Sequence, residues 1–193
     1  MPLIPLAERL FAAGLRWLSL RDKDLPASQR LDLARALVEV ARPWGAAVML
    51  HGQAELALEA GAAGVHLPDG GPDSDEVLMA RRLLGPDALI GLSAHGLDAV
   101  ARAAAQGADY VTVSPVFASA SKPGYGPVLG TEGLRRFVEA APIAVLALGG
   151  IDDAATIADC RKAGAAGVAV MGAAMRGPDM VARLVEGLSG PPA

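Results

Sequence analysis

Residues 57–65 read ALEAGAAGV, and the same step returns as RAAAQGADYV at 102–111 and CRKAGAAGV at 160–168. Each copy runs from a helix end through a glycine turn into a strand. Gly61, Gly107 and Gly164 suit helix C-termini, where a residue with positive φ is wanted. Working outward, short apolar runs rich in β-formers alternate with amphipathic stretches, the pattern of βα units around a parallel sheet. The strands are expected at RWLSLR (16–21), AAVMLH (46–51), GVHLP (64–68), ALIGLS (88–93), YVTVSPV (110–116), IAVLALGG (143–150) and GVAVMG (167–172). Helical patterns fill the intervals at 26–42, 53–61, 74–85, 97–107, 131–141 and 153–164. A helix at 5–14 precedes the first strand, and another at 178–188 closes the chain. Such quasi-repeats, with near-continuous apolar strands, point to an α/β TIM (β/α)8-type barrel forming one domain over 1–193. Its first strand is short or missing, because only MPLI stands before the first helix. Those residues are either a stub strand, or the barrel is incomplete at that slot.

Composition bounds the class. The chain has 193 residues, 52% hydrophobic and 20% charged, which is globular rather than disordered. A net charge of -4 offers no basic footprint for nucleic acid. Cys160 is the only cysteine, so no internal disulfide forms and a reducing cytoplasm is the simple expectation. No run reaches the roughly 18 apolar residues of a membrane span. The N-terminus lacks the basic head and small-residue cleavage site of a signal peptide.

In such barrels chemistry gathers where strands end. Those ends carry Ser19, Arg21 and Lys23; His51; His66 and Asp69; Ser93 and His95; Ser114 through Lys122; Gly149 and Gly150; and Met171, Gly172 and Ala173. LGGI and VMGAAM, after the last two strands, would aim backbone N–H groups at one point, as a phosphate cradle does. The stretch SPVFASASKPGYGPVLG (114–130) adds serine hydroxyls and Lys122 beside them, with no carboxylate. Alone, a serine- and glycine-rich stretch is more often a plain solvent loop. Two glycine turns on the neighbouring strands shift the reading towards phosphate.

Taken together, LSLRDKDL, GAAGVHLP, IGLSAHGLDAV, GADYVTVSPVFASASKPGYGP, LALGGI and GAAGVAVMGAAM resemble the thiamine phosphate synthase and TenI family over the whole chain except the missing first strand. The resemblance implies a thiazole phosphate held by Ser119, Ser121, Lys122, Gly149, Gly150, Met171 and Gly172. It implies a diphosphate held by Arg21, Lys23 and Ser93. The family's two magnesium aspartates are replaced by Gly52 and Gly71, with Asp69 close by in sequence. Its pyrimidine-reading glutamine is replaced by Ser19, and the tautomerase histidine by Pro115. His51, His66 and Lys122 remain for a catalytic role, with His95 further out. A histidine inside an apolar strand is more often a structural residue, which favours His51 over His66.

The lost aspartates and glutamine match the TenI branch, whereas Pro115 stands as it does in the synthases. The expected function is a TenI-like protein that binds thiazole phosphate, as a tautomerase or regulator, without magnesium or another cofactor. Two alternatives stay open. One is an active synthase, a transferase joining hydroxymethylpyrimidine diphosphate to thiazole phosphate with release of pyrophosphate and use of magnesium. The other is a non-catalytic phosphate-ligand sensor or detached domain. Expected partners are small phosphorylated thiazoles or pyrimidines, with no nucleic acid or membrane; a homo-oligomer is left open.

Overall fold

The glycine step recurring in the sequence is one local geometry repeated along the chain. Gly61, at φ 65°, donates its N–H to Leu58 O, and Ala62 N–H donates to Ala57 O, closing the helix end. The next amide, Ala63 N–H, then donates to Val48 O on the neighbouring strand. Gly107, Ala108 and Asp109 make the same three bonds to Ala104, Ala103 and Ile90; Gly164, Ala165 and Ala166 make them to Arg161, Cys160 and Val145. A helix is thus ended and a parallel ladder begun within three residues.

The computed structural model describes residues 2–22, 24–119, 124 and 126–189, without the side chain of Ser189. Along it run α1 (Leu3–Ala12), β1 (Trp17–Leu20), α2 (Ala27–Ala41), a 3-10 turn (Arg42–Trp44), β2 (Ala47–His51), α3 (Ala54–Ala60), β3 (Gly64–Leu67) and α4 (Glu76–Leu84). There follow β4 (Leu89–Ala94), α5 (Leu97–Ala105), β5 (Tyr110–Val113), α6 (Gly130–Ala140), β6 (Ala144–Leu148), α7 (Ala154–Lys162), β7 (Gly167–Ala169), α8 (Gly172–Met175) and α9 (Pro178–Ser189). The seven strands pair in chain order, β1 to β7, all parallel, in a sheet that curls as a (β/α) barrel.

The main core lies between sheet and helices. Alternate strand residues, among them Val48, Leu50, Val65, Ile90, Val111, Val113, Val145 and Ala147, pack against Leu37, Leu134 and Ile157 from the helices. Removing such a side chain costs about 2–5 kcal/mol, because a close-packed wall does not collapse into the void. Cys160 is buried in the same core, and burial, then Asp159, pushes its thiol up to about 11.

MPLI is not a stub strand: Leu3 and Ile4 belong to α1, and no strand precedes it among the described residues. Helix α1 nonetheless bridges α2 and α9. Leu6 and Leu10 of α1 bury against Val181 of α9, while the opposite neighbour of α1 is α2. Among the described residues no helix is long and apolar enough to cross a membrane.

Candidate functional site

Because all strands run parallel, their C-terminal ends share one rim, and among the described residues His51, Ser93 and Gly150 stand at or next to those ends. Strand residues that do not face the helices line the inside. By register these include Ser19 with Met49, His51 with His66, His66 with Gly91, and Ser93 with Thr112.

Below the rim lies a hydrogen-bonded polar layer. His66 is 5% exposed, with Nδ1 3.0 Å from the Tyr110 hydroxyl and Nε2 3.0 Å from Ser93 Oγ. Thr112 Oγ1 stands 3.4 Å from the same Nε2. Tyr110 reaches His66 across β4 only because position 91 is glycine; a Cβ there would run into the phenol ring. Trp17 of β1 meets the Tyr110 ring edge-on at 4.9 Å. Burial, with His51 adding electrostatically, lowers the His66 pKa to about 3, so its imidazole is neutral at physiological pH. Burial, then Asp109, pushes the Tyr110 phenol upward, so it keeps its proton. His51, at the end of β2, is half-buried with its ring 4.8 Å from that of His66.

The loop after β5 is tied to the glycine turn after β6. Val116 N–H donates to Leu148 O and Phe117 N–H to Gly149 O, extending the ladder beyond both strands. On its return, the chain donates from Leu129 N–H to Pro115 O and from Gly130 N–H to Val116 O. Gly150 has φ 68°, and a Cβ on it would lie 2.5 Å from Ala118 O. Glycine is therefore required both for the turn and for the close approach. This packing brings half-buried Ser119, the residue after Ala118, to the Gly150 turn. Pairing of Leu148 with Ala169 sets the exposed Met171–Gly172 turn alongside. Asp152 and Arg176, 3.1 Å apart, join the far sides of the two turns.

Across the mouth, exposed Arg21 follows β1. Its loop is shaped by Asp22, whose Oδ1 accepts from the N–H groups of Asp24 and Leu25. Arg30 of α2 donates to Asp22 O and, at 2.7 Å, to Gln53 Oε1, linking the loops after β1 and β2. Arg30 and Gln53 were not among the residues singled out in the sequence, and no local pattern marks them. Tyr110 and Thr112 could have been found there, because YVTV sets them on one strand face.

Lys23, Ser121 and Lys122 are outside the described residues. Asp69 is turned towards α5, where its Oδ1 takes Arg102 Nη2 at 3.2 Å and Gly71 N–H at 3.1 Å. His95 is exposed just past β4. Among the described residues no group of three or more His, Cys, Asp or Glu forms a metal-binding cluster.

A family model described as thiamine monophosphate synthase matches residues 1–174. The chain is 42% identical over 177 residues to a putative thiamine-phosphate synthase of Geobacter sulfurreducens, covering 92% of this chain and 81% of that protein. It is 41% identical over 177 residues to a thiamine-phosphate synthase of Methanoculleus marisnigri, with 92% and 82% covered. A thiamine phosphate pyrophosphorylase from Pyrococcus furiosus shares the fold with a TM-score of 0.81 at 26% identity, over 98% of this chain and 92% of that one. With a match of that extent, the chain belongs to the thiamine monophosphate synthase family.

Proposed function

We propose that this protein binds phosphorylated heterocycles at its barrel mouth and joins a pyrimidine diphosphate to a thiazole phosphate with release of pyrophosphate. The observation that carries this reading is the packing of Ala118 O onto Gly150, which sets the Ser119 segment beside the two glycine turns. Relatives named as thiamine-phosphate synthases, matching over about nine tenths of the chain, favour it over the TenI-like reading.

On this reading the thiazole phosphate is met by backbone N–H groups of the Gly149–Gly150 and Met171–Gly172 turns and by Ser119, with Ser121 and Lys122 supplying a further hydroxyl and a charge. Oriented N–H groups and hydroxyls suit an anion because their dipoles need no rearrangement when it arrives. The diphosphate is met by Arg21, Lys23 and Ser93. Their charge-assisted bonds offset the negative charge that grows on pyrophosphate as it leaves.

The family resemblance implies magnesium, and the residues present do not fit it. Gly52 and Gly71 stand in for the two aspartates and offer no carboxylate, while Asp69 is committed to Arg102 and Gly71 N–H. A hard cation wants several oxygen ligands. No step is assigned to a metal.

That deficit favours a second reading, a TenI-like protein that holds thiazole phosphate and uses half-buried His51 for proton transfer, since Pro115 has no proton to give. Calorimetric titration with thiazole phosphate and, separately, pyrimidine diphosphate tests the proposal. Binding of both supports joining; binding of thiazole phosphate alone supports the second reading; binding of neither overturns both.

A further inference from the structure

The polar layer beneath the mouth has a direction, and the direction follows from Tyr110. Its buried hydroxyl lies 3.0 Å from His66 Nδ1. A buried phenol O–H left without an acceptor costs about 1–3 kcal/mol, so it donates to that nitrogen. Nδ1 of a neutral imidazole that accepts leaves the proton on Nε2. Nε2–H then donates to Ser93 Oγ at 3.0 Å, with Thr112 Oγ1 a longer second partner at 3.4 Å. A serine oxygen that accepts from below keeps its own O–H to donate. In the opposite tautomer Ser93 would spend its proton on His66 and offer the mouth only lone pairs, which repel an anion.

We propose that His66 is a positioning residue, held in the Nε2–H tautomer by Tyr110 so that Ser93 presents its O–H as a donor to an anionic oxygen at the mouth. The donor chain runs Tyr110, His66, Ser93, ligand. Gly91 is part of the device, because only a residue without a side chain lets the phenol cross β4. The lowered His66 pKa accords with this, since a second ring proton would break the bond from Tyr110. The assignment of anion to Ser93 rests on the function proposed above; the tautomer does not.

Two measurements separate these. The ligand-free protein, labelled with 15N at its three histidines, should show by NMR an Nε2–H tautomer for one imidazole that stays neutral at pH 6 and is lost in His66→Gln. An Nδ1–H tautomer for His66 overturns the proposal whatever binds. Titration with inorganic pyrophosphate should show Ser93→Ala weakened about tenfold, as for one lost charge-assisted bond. Tyr110→Phe, which removes only the remote hydroxyl, should be weakened several-fold, and the double variant should be no weaker than Ser93→Ala. Additive losses would mean that the Tyr110 hydroxyl acts independently of Ser93 and would overturn the positioning role. Failure of the wild-type protein to bind pyrophosphate overturns the anion assignment at Ser93, and with it the diphosphate part of the proposed function.

Discussion

Tyr110 on β5 passes over Gly91 on β4 to set its hydroxyl 3.0 Å from Nδ1 of His66 on β3. A methyl group at position 91 would occupy the place of the phenol ring, so Gly91→Ala must push the ring off its partner. The expected cost is about 1–3 kcal/mol, as for an overpacked interior, measured by urea unfolding. Adding Tyr110→Leu should recover part of the loss. A Gly91→Ala protein with unchanged stability would mean the ring is not fixed there.

Stability should fall on mild acidification through His66. Its folded pKa of about 3 lies below the ordinary 6.5, so the unfolded chain takes up the proton first. The contribution is fully present above about pH 6.5 and is lost as pH falls from there towards 3, at up to about 1.4 kcal/mol per pH unit. Between pH 7.5 and 5.5 the wild-type protein should therefore lose more stability than His66→Gln. Equal losses would place the imidazole in contact with water.

Gly150→Ala tests the junction of the two mouth loops. The added Cβ would meet Ala118 O at 2.5 Å, and φ 68° strains any side chain by about 1–2 kcal/mol. Thiazole phosphate binding should drop at least tenfold, and urea unfolding should show a loss of about 2–4 kcal/mol from strain and crowding together. Unchanged binding would remove the Gly150 turn from the site.

Asp69 should prove to be a structural carboxylate. Arg102→Ala frees it from an ion pair that is largely shielded from solvent, with side chains 29% and 18% exposed. The expected loss is about 1–2 kcal/mol of stability, without any gain or loss in the magnesium dependence of pyrophosphate binding. A magnesium response abolished by Asp69→Asn would contradict the fit argued above. Placing aspartates at positions 52 and 71 is a less direct test, because both glycines have positive φ, 88° and 85°.

What could be read in the sequence was local. The step around Gly61 closes through bonds to Leu58, Ala57 and Val48, and its repetition announces helix, turn and parallel strand. The strand ends followed from that alternation, which is how Ser93, Gly150 and Met171 were placed on one rim. Contacts between distant residues were not legible. His66 and Tyr110 are 44 positions apart, and their bond depends on a register that also brings Gly91 opposite Tyr110. Asp69 and Arg102 are 33 positions apart, and nothing local in the sequence pairs them. MPLI was ambiguous because four apolar residues suit either a strand or a helix start; the stripe through Leu6 and Leu10, buried on α9, decides for the helix.

The most direct test is product formation: purified protein incubated with hydroxymethylpyrimidine diphosphate and thiazole phosphate, with magnesium in one arm and a chelator in the other. Thiamine phosphate and pyrophosphate should appear in equal amounts in both arms, because the charge on the leaving group is met by Arg21, Lys23 and Ser93 rather than by a carboxylate-held metal. No thiamine phosphate in either arm, with thiazole phosphate still bound, would contradict the proposed joining reaction and leave the TenI-like reading in its place. Product in the magnesium arm alone would contradict the account of the metal.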